Sequence, residues 1–195
     1  HTATAAKVFH KDENEVNAED RRFAKVVNYG LAYGMEAYGL SQRMDVAVEE
    51  ARDILDDYFA AFPNVAAFME QTVEEAKQRG YTTTIFGRRR QIAELSSDNF
   101  RIRQMGERMA QNAPIQGSAA DIFKLAMIEV DAALDAGGFE TRMLLTVHDE
   151  LVFEVPIDER ERVEPVLRQT MESVTELSVP LVVDIGFGPN WATAK

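Results

Sequence analysis

The stretch from Arg21 to Gly34 sets Arg21, Lys25, Tyr29 and Tyr33 four residues apart. At about 3.6 residues per turn this spacing keeps them in one slowly drifting stripe of a helix. Phe23, Val26, Val27 and Leu31 supply apolar contacts elsewhere on it. Asn17, three residues ahead of Asp20, predicts an N-cap with an acidic partner. The two cations therefore fall in the first turns, where the helix dipole already favours an anion. The tyrosines follow, and Gly30 and Gly34 would let a flat ring approach the backbone. Cations first and aromatic planes later would suit a nucleoside triphosphate, phosphates at one end and base at the other. The same pattern also suits an amphipathic surface helix whose tyrosines cover the core.

Two more groups of residues carry chemical potential. Met143–Val147 and Leu151–Val155 are short apolar, β-prone runs with His148, Asp149 and Glu150 between them. A hairpin is expected, although its tip lacks the Asn-Gly chemistry of a relaxed tight turn. Adjacent carboxylates at such a tip repel each other unless a cation stands between them. Turn tips are usually just polar, so the acids gain weight only from company. Arg108, Asn112 and Gln116 are again four apart and share a helix face if Pro114 leaves the helix intact; capping around Pro114 is the plainer reading.

Those groups need a scaffold, and the chain is long enough to provide one. Its 195 residues, 46% of them hydrophobic, can bury a core in one domain or two small ones. With no cysteine there is no disulfide framework, no thiolate zinc site and no thiol nucleophile. No apolar run approaches the roughly 20 residues that span a bilayer, and no signal-peptide pattern opens the chain. The expected compartment is the cytoplasm, with no membrane partner. The net charge of −12 opposes nucleic acid only as an average. From Lys77 to Arg108 eight basic residues face three acids, whereas from Asp121 onward fifteen acids face six basic residues. The basic block is where a phosphate backbone could lie, or else a solvated helix and loop.

Pattern and punctuation predict a helix under way over 1–10, the basic-aromatic helix over 17–34, a short helix over 36–44, and an acidic amphipathic helix over 45–61. Asn64 should cap a helix over 65–79 that stops at Gly80. A small strand or hairpin over 81–86 leads into Arg88–Arg90. A helix over 100–111 is expected to break or kink at Pro114 and resume from Gly117 to about Ala136, ending at Gly137-Gly138. The hairpin takes 142–155, Asp158 caps a helix to about Glu176 that Pro165 blemishes, and Leu181–Ile185 makes a last strand. The fold class is α+β and helix-dominated: a helical lobe followed by one with a small antiparallel sheet.

Arg-x3-Lys-x3-Tyr-Gly-x2-Tyr-Gly from Arg21 to Gly34, Arg108-Met109-Ala110-Gln111-Asn112-Ala113-Pro114-Ile115-Gln116-Gly117, and Val147-His148-Asp149-Glu150 follow one another in that order. With Thr84–Arg90 and the ending Gly188-Pro189-Asn190-Trp191, they make the chain resemble family A DNA polymerases in the bacterial polymerase I-like form. The likeness runs over essentially all 195 residues.

The resemblance implies a helical fingers lobe over 1–90 and the C-terminal part of a palm over 91–195. It implies DNA-directed DNA polymerisation, in replication or repair at the bacterial nucleoid: nucleotidyl transfer from dNTP to a primer 3′-OH by two Mg²⁺ ions, with Mn²⁺ as a substitute. Asp149 matches the metal-binding catalytic aspartate, with Glu150 in support and His148 near the primer terminus. Arg21 and Lys25 match the triphosphate-binding pair, and Lys25 could also protonate the leaving pyrophosphate. Tyr29 would pack on the dNTP and Tyr33 stand near the templating base. Many relatives carry Phe at the position of Tyr29, and Tyr is the option associated with acceptance of nucleotides lacking a 3′-hydroxyl. Arg108, Asn112 and Gln116 match residues that hold primer–template DNA, and Arg88 is a candidate for the template backbone.

The family's other metal-binding aspartate comes from a motif with no counterpart among residues 1–16. The resemblance therefore implies a fragment whose partners include the remainder of a polymerase chain, the thumb and first palm motif, and which polymerises poorly or not at all by itself. Two other readings stand beside it: a non-catalytic nucleic-acid-binding module, and a two-metal nuclease or phosphotransferase that shares only the acidic hairpin.

Overall fold

The structure, a computed structural model, describes residues 1–194. It divides into two compact units, His1–Ser118 and Ala119 onward.

In the first unit, helices α1 (Thr2–Val8), α2 (Ala18–Ala32), α3 (Ala37–Met44), α4 (Val48–Ala61) and α5 (Pro63–Arg79) surround one apolar cluster. Val8, Val27, Leu31, Leu40, Met44, Ala51, Tyr58 and Met69 form its buried centre. Helix α2 contributes Ala24, Val27, Gly30 and Leu31, at the three- and four-residue steps of a core-facing stripe. Asn64 does not cap α5. Pro63 occupies the first turn instead, because its fixed φ and missing N–H suit that position, and the helix starts two residues earlier than expected. Gly80 ends α5 in the left-handed conformation, φ 78°.

A hairpin follows. Strands β1 (Tyr81–Thr83) and β2 (Arg89–Gln91) pair antiparallel with Thr82 opposite Arg90. The arginine run thus forms most of the second strand and does not merely follow the first. Ile92 and Leu95 then pack with Ala76 and Ala110 in a second small core.

Helix α6 runs unbroken from Phe100 to Ala136, through Pro114, so the expected break is absent. Proline costs about 3 kcal/mol inside a helix by removing a donor and crowding the preceding turn. Packing of the turn before it offsets that: Ala110 and Ala113 are buried. The Ser118 hydroxyl donates to the Pro114 carbonyl at 2.5 Å and accepts from the Ile85 N–H at 3.0 Å, tying the helix to the β1–β2 turn.

In the second unit, β3 (Arg142–Val147) pairs antiparallel with β4 (Glu150–Glu154). Val147 lies opposite Glu150, Leu145 opposite Val152 and Met143 opposite Phe153, with a bulge at Leu144. Helix α7 (Arg160–Glu172) follows a 3₁₀ turn at Ile157–Glu159, so Asp158 sits in that turn and is not the cap. Pro165 leaves α7 intact, and the helix ends four residues short of Glu176. Val130, Leu134, Val163 and Leu167 form the core with Phe139, Met143, Phe153 and Ile185 around it.

Leu181–Ile185 forms no strand. Side chains of α7 take the backbone groups a ladder would use: Arg168 donates to the Val183 carbonyl, and the Glu172 carboxylate accepts from the Val183 N–H at 3.0 Å. Helix-dominated α+β architecture with two small antiparallel hairpins is therefore the fold. Among the described residues no helix is long and apolar enough to cross a membrane.

Candidate nucleotide and nucleic-acid site

The N-terminus of α2 is rigidly made. The Asn17 side chain accepts from the Glu19 and Asp20 N–H groups at 2.8 and 2.9 Å, and the Asp20 carboxylate accepts from the Asn17 N–H at 3.1 Å. Both Asp20 oxygens also take Lys11 Nζ at 2.8 Å. These contacts, Lys11 foremost, hold the Asp20 carboxyl below the ordinary carboxylate range. With Asp20 anchored, α2 presents its exposed face in a fixed orientation.

That face carries Arg21, Lys25, Tyr29 and Tyr33, all exposed. Among the described residues no carboxylate pairs with Arg21 or Lys25, whereas neighbouring Arg22 meets Glu19 at 3.8 Å. Lys25 Nζ lies 5.7 Å from the centre of the Tyr29 ring, within cation–π range. Tyr29 is 53% exposed and Tyr33, at the C-cap, 62%. Large rings left this open are candidate stacking surfaces.

The end of α2 is clamped to α6 within the same unit. Gly34 has φ 68°, and a Cβ built on it would stand 3.2 Å from Arg108 Cβ and 3.3 Å from the Arg108 carbonyl oxygen. Asn112 Nδ2 donates to the Ala32 carbonyl at 2.5 Å. Arg108 Nη1 donates to Glu36 Oε1 at 3.1 Å, and Gln104 Nε2 reaches the same carboxylate at 3.2 and 3.4 Å. Arg108 and Asn112 thus stand beside the tyrosine end of α2, each already bonded to protein. Gln116 is exposed further along α6.

Arg88 sits on the β1–β2 turn, where its Nη2 donates to the Gly117 carbonyl at 3.0 Å. The hairpin meets α6 closely there, since a Cβ on Gly117 would come within 2.7 Å of Thr84 Cγ2. Thr82–Thr84, Arg88, Arg90, Ala113 and Gly117 enclose a cavity of about 60 Å³.

In the second unit the β3–β4 turn consists of His148 and Asp149. His148 adopts φ 55°, a left-handed conformation at the first turn position where glycine is usual. All three residues of the tip are exposed, and Glu150 Oε2 accepts from Trp191 Nε1 at 3.1 Å. Asp149 offers hard carboxylate oxygens of the kind Mg²⁺ takes. Among the described residues no group of three His, Cys, Asp or Glu is arranged to hold a metal.

The first unit brings together the α2 stripe with Arg108 and Asn112, and also holds Arg88 and Gln116; the acidic tip belongs to the second. Glu36 and Gln104, missed by the pattern reading, join the clamp. Only their distance in the fold gives them meaning, because 68 residues separate them in sequence.

The first unit thus holds an exposed cationic-aromatic helix face with a polar helix clamped beside it, and the second holds an exposed acidic hairpin tip. The model of DNA polymerase family A matches residues 1–193, and the chain belongs to that family. It is 50% identical to the DNA polymerase I of Bacillus subtilis over 195 residues and 48% identical to that of Streptococcus pneumoniae serotype 4 over 196 residues. Each alignment covers 100% of this chain and 22% of the relative, so the chain spans a minor part of the length of the curated relatives it matches. A solved structure, the POL domain of Pol1 from M. smegmatis in complex with DNA primer-template and dNTP, is similar with a TM-score of 0.94 at 45% identity. It is matched over 100% of this chain and 34% of its own.

Proposed function

We propose that the chain supplies the nucleotide-binding fingers and the C-terminal palm of a DNA-directed DNA polymerase, the former over about residues 1–90 and the latter over 91–195. The observation that carries this reading is exposed Arg21 and Lys25, with no carboxylate partner among the described residues, followed by the open Tyr29 and Tyr33 rings on one capped helix. Family membership supports it, as does the similar polymerase domain bound to primer-template and dNTP.

Arg21 and Lys25 would bind the triphosphate. A guanidinium grips two oxygens at once, and a mobile ammonium follows the charge that grows on the leaving pyrophosphate and donates a proton to it. Tyr29 would pack on the incoming nucleotide and Tyr33 beside the templating base. Arg108, Asn112 and Gln116 would hold primer and template near the insertion point, reaching minor-groove acceptors that lie alike in every Watson–Crick pair. Arg88 would contact the template backbone and His148 the primer end. Asp149, supported by Glu150, would hold divalent cations, Mg²⁺ with Mn²⁺ as substitute, together with a carboxylate from outside the described groups. When bound, such ions activate the primer 3′-hydroxyl and stabilise the leaving group.

Primer extension by the complete polypeptide that carries these residues tests the reading. Lys25→Leu should lower the single-turnover incorporation rate by about 10²–10³-fold. Unaltered turnover would refute the assignment, and magnesium-dependent cleavage of DNA without nucleotides would favour a nuclease.

A further inference from the structure

Glu36 is the N-cap residue of α3, yet its carboxylate makes no capping bond. Both oxygens turn instead to α6, taking Gln104 Nε2 and Arg108 Nη1. An acid at this position could accept from the free N–H groups of its own helix at no cost in reach. Its side chain is committed elsewhere. Arg108 spends one of five N–H donors on it, and the pair stays open to water, with side chains 38% and 52% exposed. Exposed pairs are weak and readily exchanged, and a DNA phosphate is a stronger acceptor for a guanidinium than a solvated carboxylate.

We infer that Glu36 is a built-in competitor for Arg108, occupying its guanidinium until nucleic acid displaces the carboxylate. The inference rests on the DNA contact proposed for Arg108 and names what regulates it. The surrounding clamp makes the exchange local. Gly34 packs on the Arg108 backbone and Asn112 holds the Ala32 carbonyl, so the α2–α3 corner stays in place when the Glu36 bond opens. Glu36 thereby lowers affinity for any DNA that fails to reach Arg108 and leaves the binding surface locally neutral.

The test is fluorescence anisotropy of a labelled primer–template duplex with the complete polypeptide, at low salt, alongside thermal unfolding of each variant. Glu36→Gln keeps an acceptor and removes the charge; Glu36→Ala removes both. Each should tighten binding about two- to five-fold, the range an exposed pair can carry, with melting unchanged and the gain shrinking as salt rises. In an Arg108→Ala background the gain should be lost. Weaker binding by Glu36→Ala would overturn the inference, since Glu36 would then position Arg108. So would a gain that persists undiminished in Arg108→Ala, a general charge effect. Arg108→Ala that binds like the parent would instead remove the proposed DNA contact itself, and the competitor role with it.

Discussion

Gly34 offers a quantitative test of how α2 is held against α6. Of the four glycines with a left-handed backbone among the described residues, only Gly34, at φ 68°, is crowded; Gly80, at φ 78°, is a fair comparison. Nothing lies within 4 Å of a Cβ on Gly80, while one on Gly34 would press on Arg108 Cβ, carbonyl oxygen and Cα at 3.2–3.4 Å. Alanine at Gly80 therefore carries only the left-handed penalty of roughly 1–2 kcal/mol, partly offset by a stiffer unfolded chain, for a net loss of about 1 kcal/mol. Alanine at Gly34 adds overpacking of about 1–3 kcal/mol, because the atoms met are mostly backbone and cannot swing aside. The expected total is about 2–4 kcal/mol. Urea unfolding of the 195-residue chain, followed by circular dichroism, would read the difference from the midpoints at constant slope. If Gly34→Ala loses no more than Gly80→Ala, the close approach to Arg108 does not exist in solution and the clamp must be redrawn.

Three further outcomes follow from the same contacts. Ser118→Ala removes a hydroxyl bonded to both Pro114 and Ile85, so it should destabilise the first unit by about 1 kcal/mol and speed hydrogen exchange at the Ile85 amide; unchanged exchange would show the link to be idle. Backbone donors at Glu140 and Thr141 hold the Glu159 carboxyl below the ordinary carboxylate range, as Lys11 holds that of Asp20. Their stabilisation is complete above that range and is lost as pH falls through the depressed folded-state values. Unfolding free energy should accordingly drop below about pH 4, and Glu159→Gln and Asp20→Asn should each flatten that limb; a limb unchanged in both would contradict the assignment. If Tyr29 packs on the nucleotide as proposed, Tyr29→Phe should sharpen discrimination against dideoxynucleotides in the complete polypeptide by up to about tenfold, the worth of one hydrogen bond that the phenol would make in place of the missing 3′-hydroxyl; an equal ratio of incorporation efficiencies would dismiss it.

The elements that the sequence made legible were those with local causes. Asn17 and Asp20 announce the cap of α2, Gly80 the end of α5, and the switch to short β-prone runs the β3–β4 hairpin. What escaped had causes elsewhere in the fold. Pro114 looks like a stop until Ser118 and the buried Ala110 and Ala113 are seen around it. Leu181–Ile185 has the composition of a strand, but Arg168 and Glu172 claim the backbone of Val183. At the candidate site the stripe of α2 was readable from its four-residue spacing. The spacing of Arg108, Asn112 and Gln116 was readable too, but not that the first two already bond to Glu36 and Ala32.

Glu159 also has a mechanical meaning. One carboxylate, just beyond β4, accepts from the Glu140 N–H at 2.8 Å and from the Thr141 N–H and hydroxyl at 2.9 and 2.7 Å, just before β3. It closes the open end of the hairpin across 18 residues, the place where many small β-elements carry a disulfide. A chain without cysteine has here a clasp that no reductant can open and no oxidant can mis-pair. The strands leading to His148 and Asp149 are thus tied at their base by a bond that reforms within the ordinary motions of a side chain.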